Sequence, residues 1–231
     1  MTLPQKSVPI ITIDGPSGTG KGTICRMLAE HLQWHRLDSG YIYRALALAA
    51  SQKHIPFTNI SALVALANDL NLKFETSPDQ QDVVLLDNEN VIDAIRSEEC
   101  GQNASCIAVI PEIRQALLFR QRAFASLPGL VTDGRDMGTV VFPDALLKIY
   151  LEASAEERAQ RRYLQLKEKG FNASLAEVID ELASRDARDT SRPHAPLKPA
   201  SDAMFVNTTG LTITQTFKNV LKLVNKVLVF N

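Results

Sequence analysis

The residues best placed to do chemistry lie in one run near the N-terminus, Gly15-Pro16-Ser17-Gly18-Thr19-Gly20-Lys21-Gly22-Thr23. It follows the apolar stretch Ile10–Asp14 and opens a periodic segment carrying Ile24, Leu28 and Leu32. A strand, a glycine-rich loop and a helix in that order make a phosphate-binding loop. Glycines let successive backbone N–H groups converge on a phosphate without obstruction by Cβ, and the helix N-terminus adds the positive end of its dipole. Lys21 supplies a mobile charge to the β- and γ-phosphates of a nucleotide. The general pattern places Ser or Thr directly after the lysine; here Gly22 stands there and the hydroxyl follows at Thr23. Direct and water-mediated contact of Thr23 with Mg2+ are both open.

A phosphate loop alone does not separate kinases, GTPases and motor ATPases. The guanine-reading NKxD pattern is missing, because the single Asn-Lys pair, Asn225-Lys226, continues into Val227-Leu228. The second substrate is therefore read from the arginines. A hydroxyl acceptor benefits from a positioned base, whereas a phosphate monoester is already an anionic nucleophile at neutral pH. Its difficulty is repulsion between two polyanions, which calls for fixed positive charge. Arginine provides that charge with bidentate geometry. Arg44 follows Asp38-Ser39-Gly40-Tyr41-Ile42-Tyr43, after the second strand, and Arg135 lies in Asp133-Gly134-Arg135-Asp136 at the carboxyl end of another. Ligands of open parallel sheets bind at that edge. Arg158, Arg161 and Arg162 share one helix face, and Arg185, Arg188, Asp189 and Arg192 form a second stripe. The bland reading of either stripe is a solvated face with local pairs such as Glu157–Arg161 or Glu181–Arg185.

The elements that must position these groups alternate short apolar runs with amphipathic stretches, the pattern of a parallel sheet covered by helices. Strands are expected over Ile10–Asp14, His35–Leu37, Leu130–Asp133, Leu146–Leu151 and Ala203–Val206. Helices are expected over Lys21–Leu32, Tyr41–Gln52, Ser61–Leu70, Glu112–Phe124, Ala155–Lys169, Leu175–Asp189 and Ile213–Leu228. Ser154 with Glu157, Ser174 with Glu177 and Thr212 with Gln215 have capping-box spacing. In the last helix Ile213, Phe217, Leu221, Val224 and Leu228 form the expected core stripe. Leu72 to Ile95 breaks the alternation with two β-like runs and a DNEN turn, a small antiparallel insertion.

The chain has 231 residues, 25 basic and 26 acidic, with 45% apolar and 22% charged side chains. That is an ordinary globular composition, and its net charge of −1 argues against binding a nucleic-acid polymer. The average conceals a division. Residues 45–113 carry a net −7, while 114–192 hold ten arginines. Cys25, Cys100 and Cys106 form no paired motif and read as small buried apolar residues of a reducing, cytoplasmic compartment. The N-terminal run reads as no signal peptide, and no apolar stretch has membrane-spanning length. His31 and His35 have metal-ligand spacing but no third ligand nearby.

With these residues in view, the chain resembles the bacterial cytidylate kinases, within the nucleoside monophosphate kinases. The carriers are IDGPSGTGKGT (13–23), LDSGYIYR (37–44), DGRDMGTVVFPDA (133–145), ERAQRR (157–162) and RDARDTSRPHAPLKPASDA (185–203). The GKGT ending is the family's usual form and accounts for Gly22. The resemblance implies an α/β P-loop fold with a five-stranded parallel sheet. Its core would comprise residues 1–38, 108–152 and 193–231, its monophosphate-binding region 39–107 including the insertion at 72–95, and its lid 153–192. It implies ATP as donor with Mg2+, and CMP or dCMP as acceptor. Ser39, Arg44 and Arg135 resemble the ligands of the acceptor phosphate; Ser105, Arg114, Asp136 and Arg192 the cytosine-reading set; Arg185 and Asp189 the ribose contacts. Arg158, Arg161 and Arg162 resemble lid arginines. By the same resemblance the protein is a monomer. No direct metal ligand is expected; Thr23 and Asp133 could act through water. One departure is Tyr41, where the family commonly has a small residue; the ring could pack outward or face the site. A kinase of the same fold acting on AMP, UMP or shikimate, or a non-catalytic ATP-binding switch, are the alternatives.

Overall fold

The computed structural model describes residues 8–76, 82–168, 170 and 172–228. In chain order the elements are β1 (Ile10–Asp14), α1 (Lys21–Leu32), β2 (His35–Asp38), α2 (Ser39–Gln52), α3 (Ile60–Asn68), β3 (Leu72–Thr76), β4 (Asp82–Leu86) and β5 (Glu89–Asn90). They continue with α4 (Ile92–Ile95), α5 (Glu98–Ile107), α6 (Pro111–Arg122), β6 (Leu130–Gly134), a π-helical turn over Met137–Val141, and β7 (Leu147–Glu152). The last four are α7 (Ala155–Glu168), α8 (Leu175–Ser191), β8 (Met204–Asn207) and α9 (Ile213–Leu228). The chain divides into two units. One takes in the chain up to Leu37 and from Phe124 onward, and the other is Asp38–Ala123.

The first unit is built on a five-stranded sheet of order β2-β6-β1-β7-β8. β1 pairs in parallel with β6 and β7, and β7 with β8. The expected α/β P-loop fold with its parallel sheet is therefore present. β1 is central and reads IITID with little alternation, as a strand covered on both faces must. Ile11, Ile13, Val131, Ile149 and Leu151 meet Ile24, Leu28, Val220 and Val224 in one core, which fastens α1 and α9 to the sheet. The buried line of α9 is Thr216, Val220 and Val224, whereas Ile213 is exposed and Phe217 and Leu221 flank the core. The expected stripe is thus rotated by one position, because the packed surface lies between its residues.

In the second unit Ile42, Leu46, Leu63, Ile95, Ile107, Ile113 and Leu117 are fully enclosed. The insertion is an antiparallel three-stranded sheet of order β3-β4-β5. Asp87 and Asn88 form the β4–β5 turn with φ of 51° and 69°, the two positive values that a type I′ hairpin needs. Two helices were not anticipated, α4 and α5, since their segments are short and weakly periodic. α5 does carry a start signal, Ser97 followed by Glu98 and Glu99, and the Ser97 side chain accepts from the Cys100 N–H.

Helix starts are set by local contacts. α2 begins at Ser39 rather than Tyr41 because the Asp38 carboxylate caps it, accepting the Gly40 N–H at 2.9 Å. The capping boxes at Ser174 and Thr212 close in both directions. At Ser154 only half closes: its Oγ accepts the Glu157 N–H, but its own N–H goes to Thr209 Oγ1. Glu157 turns instead to Arg161, at 2.9 Å.

Candidate active site

The loop between β1 and α1 depends on its glycines. Gly15 has φ of 146°, and a Cβ there would lie 2.1 Å from the Leu151 carbonyl oxygen. Gly18 has φ of 81°, and a Cβ would lie 2.9 Å from Cβ of Arg158. Gly20, at φ 87°, precedes α1 without a side-chain cap, and no acidic residue occupies the first turn. The opening amides of α1 thus present an unopposed positive end, as an anion site requires. Lys21 is buried and donates to the Pro16 carbonyl at 2.6 Å, and the Thr19 hydroxyl donates to the same oxygen at 3.1 Å.

A network of charge grows out of this loop. Arg135, just beyond β6, donates to Ser17 Oγ at 2.6 Å and to Asp189 Oδ2 at 2.7 Å. Arg192, at the end of α8, pairs with the other oxygen of the Asp189 carboxylate. Arg158 donates to the Ser17 carbonyl at 3.1 Å and lies 2.6 Å from the Asp186 carboxylate. Asp189 is almost wholly enclosed. Burial alone would raise its pKa, but the guanidiniums of Arg135, Arg192 and Arg185 outweigh that and hold it below the usual value. Burial works against the Arg135 charge, and Asp189, Asp133 and Asp186 more than restore it. Four predicted site residues, Ser17, Arg135, Asp189 and Arg192, are thereby joined in one chain of contacts, and Arg158 reaches the loop from α7. Arg161 turns to Glu157, to Thr208 Oγ1 at 3.0 Å and to the Thr208 carbonyl at 2.6 Å. Asp136 and Asp133 are both buried, and Arg162 and Arg185 are half-buried.

In the 38–123 unit, Ser39 opens α2 and is buried. Arg44, on the same helix, donates to the carbonyls of Ile95 at 2.6 Å and Ser97 at 3.0 Å. Gly101 makes room for it, since a Cβ there would lie 2.7 Å from the guanidinium. Arg114 donates to the Ala108 carbonyl at 3.1 Å and sits 5.6 Å over the Tyr43 ring. Ser105 on α5 is 4% exposed, and its Oγ has no hydrogen-bond partner among the described residues. A buried hydroxyl without a partner costs free energy unless a ligand supplies one. Tyr41 faces Arg96, whose Nε donates to its hydroxyl at 3.1 Å.

Arginines gathered around a P-loop and a shared buried carboxylate describe a site for phosphorylated ligands. Compared with known proteins, the chain matches the family model described as cytidylate kinase over residues 11–226. The chain belongs to the cytidylate kinase family. The cytidylate kinase of Shewanella denitrificans is 53% identical over 94% of this chain and 96% of its own length. That of Pseudomonas savastanoi pv. phaseolicola is 56% identical over 92% and 93%. A crystal structure of an uncharacterized protein from Eubacterium ventriosum superposes with a TM-score of 0.52 over 94% of this chain and 98% of that one. At 11% identity it shares the fold alone.

Within this cytidylate kinase family member, three residues near the site were not singled out from the sequence. Asp14 accepts the N–H groups of Met137 at 2.9 Å and Gly138 at 2.8 Å and so holds the π-helical turn after Arg135-Asp136. Burial raises its pKa to about 6 against those two hydrogen bonds, with Asp136 adding to the rise and Lys21 opposing it. Asp186, inside the 185–203 run but given no role there, and Arg96, in the 38–123 unit and outside every quoted motif, complete the set. Thr23, in the first turn of α1, and the buried Asp133 offer hard oxygen donors of the kind Mg2+ accepts. Among the described residues no three His, Cys, Asp or Glu side chains gather as a metal cage. His31 packs edge-on against Phe217 and His35 contacts the Leu127 carbonyl, so both have structural roles. The cysteines form no disulfide; Cys25 and Cys100 are buried as expected, but Cys106 is exposed on α5.

Proposed function

We propose that this chain transfers the γ-phosphoryl group of ATP to CMP or dCMP, yielding ADP and CDP or dCDP. The observation that carries this reading is Arg135, a half-buried and permanently charged guanidinium hydrogen-bonded to Ser17 of the phosphate loop and to Asp189. The amides of Gly15–Thr23 and the Lys21 ammonium hold the donor phosphates, and Arg158, Arg161 and Arg162 neutralise charge on the group in transit. Ser39, Arg44 and Arg135 align the acceptor phosphate, whose dianion attacks in line without a general base. Ser105, Arg114, Asp136 and Arg192 read the cytosine edge, where each well-made contact contributes about 1–3 kcal/mol of discrimination. Asp189 and Arg185 take the sugar hydroxyls. Thr23 and Asp133 would hold Mg2+ through water, and the ion would supply charge neutralisation.

In the same reading residues 153–192 act as a lid that excludes water and limits wasteful ATP hydrolysis, residues 39–107 receive the monophosphate, and the remainder is the core. The protein works as a cytoplasmic monomer. Among the described residues no helix is long and apolar enough to cross a membrane, which agrees with freely diffusing substrates. Coupled ADP-release assays over CMP, dCMP, UMP, AMP and shikimate test the reading. The expected result is strong preference for the two cytosine monophosphates. Preference for AMP or shikimate would refute the cytosine assignment, and absence of acceptor-dependent turnover would refute the transferase.

A further inference from the structure

Arg44 does not hold its own orientation. Its guanidinium is fixed by two backbone carbonyls, those of Ile95 and Ser97, which flank residue 96. The Arg96 side chain is in turn held at both ends of its guanidinium. Nε donates to Tyr41 Oη at 3.1 Å, and the terminal nitrogen donates to Asp82 Oδ2 at 3.0 Å. The same guanidinium stands 6.0 Å from the centre of the Tyr41 ring. Tyr41 lies one turn before Arg44 on α2, and Asp82 is the first residue of β4. The backbone between Ile95 and Ser97 is the short joint where α4 ends and α5 begins, turned by 3.2 Å hydrogen bonds from the Arg96 and Ser97 N–H groups to the carbonyls of Ile92, Asp93 and Ala94.

We propose that Tyr41 and Asp82 are positioning residues for Arg44, acting through Arg96 to set the two carbonyls that aim its guanidinium. The inference rests on the reading of Arg44 as a ligand of the acceptor phosphate. Arg96 is 40% exposed and Asp82 21%, so their ion pair alone adds little to stability. A merely structural role would therefore show in the melting temperature or nowhere. A positioning role shows in the acceptor KM. The three groups also tie the insertion sheet to the helix that carries Arg44, which gives the antiparallel insertion a function in the acceptor step.

The test is steady-state kinetics and calorimetric CMP binding on full-length Tyr41→Phe, Asp82→Asn and Arg96→Lys, each also made in an Arg44→Gln background. Lysine cannot hold both partners of Arg96 and serves as the charge-conserving variant. The expected result is a KM and dissociation constant for CMP raised roughly fivefold, the size of one lost hydrogen bond. The KM for ATP, kcat and the melting temperature stay at wild-type values, and the three changes have no further effect once Arg44 is glutamine. If Arg44→Gln weakens CMP while the three single variants do not, the positioning role is overturned and the assignment of Arg44 stands. If their effects add to that of Arg44→Gln, or the ATP KM rises equally, they act on the fold and the proposal fails. If Arg44→Gln leaves CMP binding unchanged, the reading of Arg44 fails and takes this proposal with it.

Discussion

Asp14→Asn tests the electrostatics beneath the site. Asp14 is enclosed at the end of β1, and its two carboxylate oxygens accept the Met137 and Gly138 N–H groups. Burial raises its pKa from 3.8 to about 6 in the folded, ligand-free chain, and the two hydrogen bonds only partly counter it. Between those values the folded chain keeps a proton that the unfolded chain has released. Stability contributed by this group therefore falls as pH rises, and the loss is complete above pH 6. A shift of that size corresponds to ~3 kcal/mol over the whole range, of which ~1.4 kcal/mol falls between pH 5 and 8. Asparagine does not titrate. It keeps one acceptor but turns an amide donor toward a backbone N–H, at a pH-independent cost of about 1–3 kcal/mol. Urea unfolding of wild type and variant at pH 5, 6, 7 and 8, without ligands, gives the difference in stability at each pH. Other titrating groups, including the four histidines, cancel in that difference. The wild type is expected to lose ~1.4 kcal/mol relative to the variant from pH 5 to pH 8. A difference that stays flat, or that moves in favour of wild type as pH rises, would refute the reasoning.

Other consequences are as direct. Lys21→Met removes the charge that meets the transferred phosphate, and ADP release should fall by roughly 10²–10³-fold or more; substantial residual turnover would deprive Lys21 of its role. Asp189→Asn leaves Arg135 and Arg192 facing a neutral group in a buried setting and should cost ~3 kcal/mol in urea unfolding. Because the Asp189 pKa is held below its ordinary value, that gap is present at neutral pH and narrows as pH falls beneath the usual carboxylate range. An unchanged midpoint would mean that the arginines rely on other partners. Gly129→Ala places a Cβ 2.3 Å from the Trp34 ring and should destabilise the chain by about 1–3 kcal/mol. Trp34 is the single tryptophan, so a shift in its emission reports the displaced ring directly, and an unaltered spectrum and midpoint would contradict the close approach.

The network on Asp189 explains why the site tolerates so much buried charge. One carboxylate shared by two guanidiniums would be a poor stabilising device by itself, since desolvation offsets the attraction. Here it fixes Arg135 beside the phosphate loop and Arg192 at the end of α8, both oriented before any ligand arrives. Arg161, in the ligand-free chain, keeps its predicted local pair with Glu157 and donates to Thr208 and to the Leu211 carbonyl.

The phosphate loop, the boundaries of β1, α1 and α9, two complete capping boxes and the antiparallel insertion with its turn were legible in the order of the residues alone. Each of these follows from interactions within a few residues: strand burial, helical periodicity, a capping side chain, or a pair of residues that accept positive φ. The arginines were legible as charge in a pattern, and the resemblance assigned them roles. Which partners they keep depends on how the chain packs. Asp14 meets residues 137 and 138, Arg135 meets Ser17 and Asp189, and Arg44 meets the carbonyls on either side of Arg96. Those partners lie 51 to 124 residues away in the chain, beyond the reach of any local pattern. The same holds for the raised pKa of Asp14 and the solitary hydroxyl of Ser105, because burial is a property of the packed chain and not of the residue.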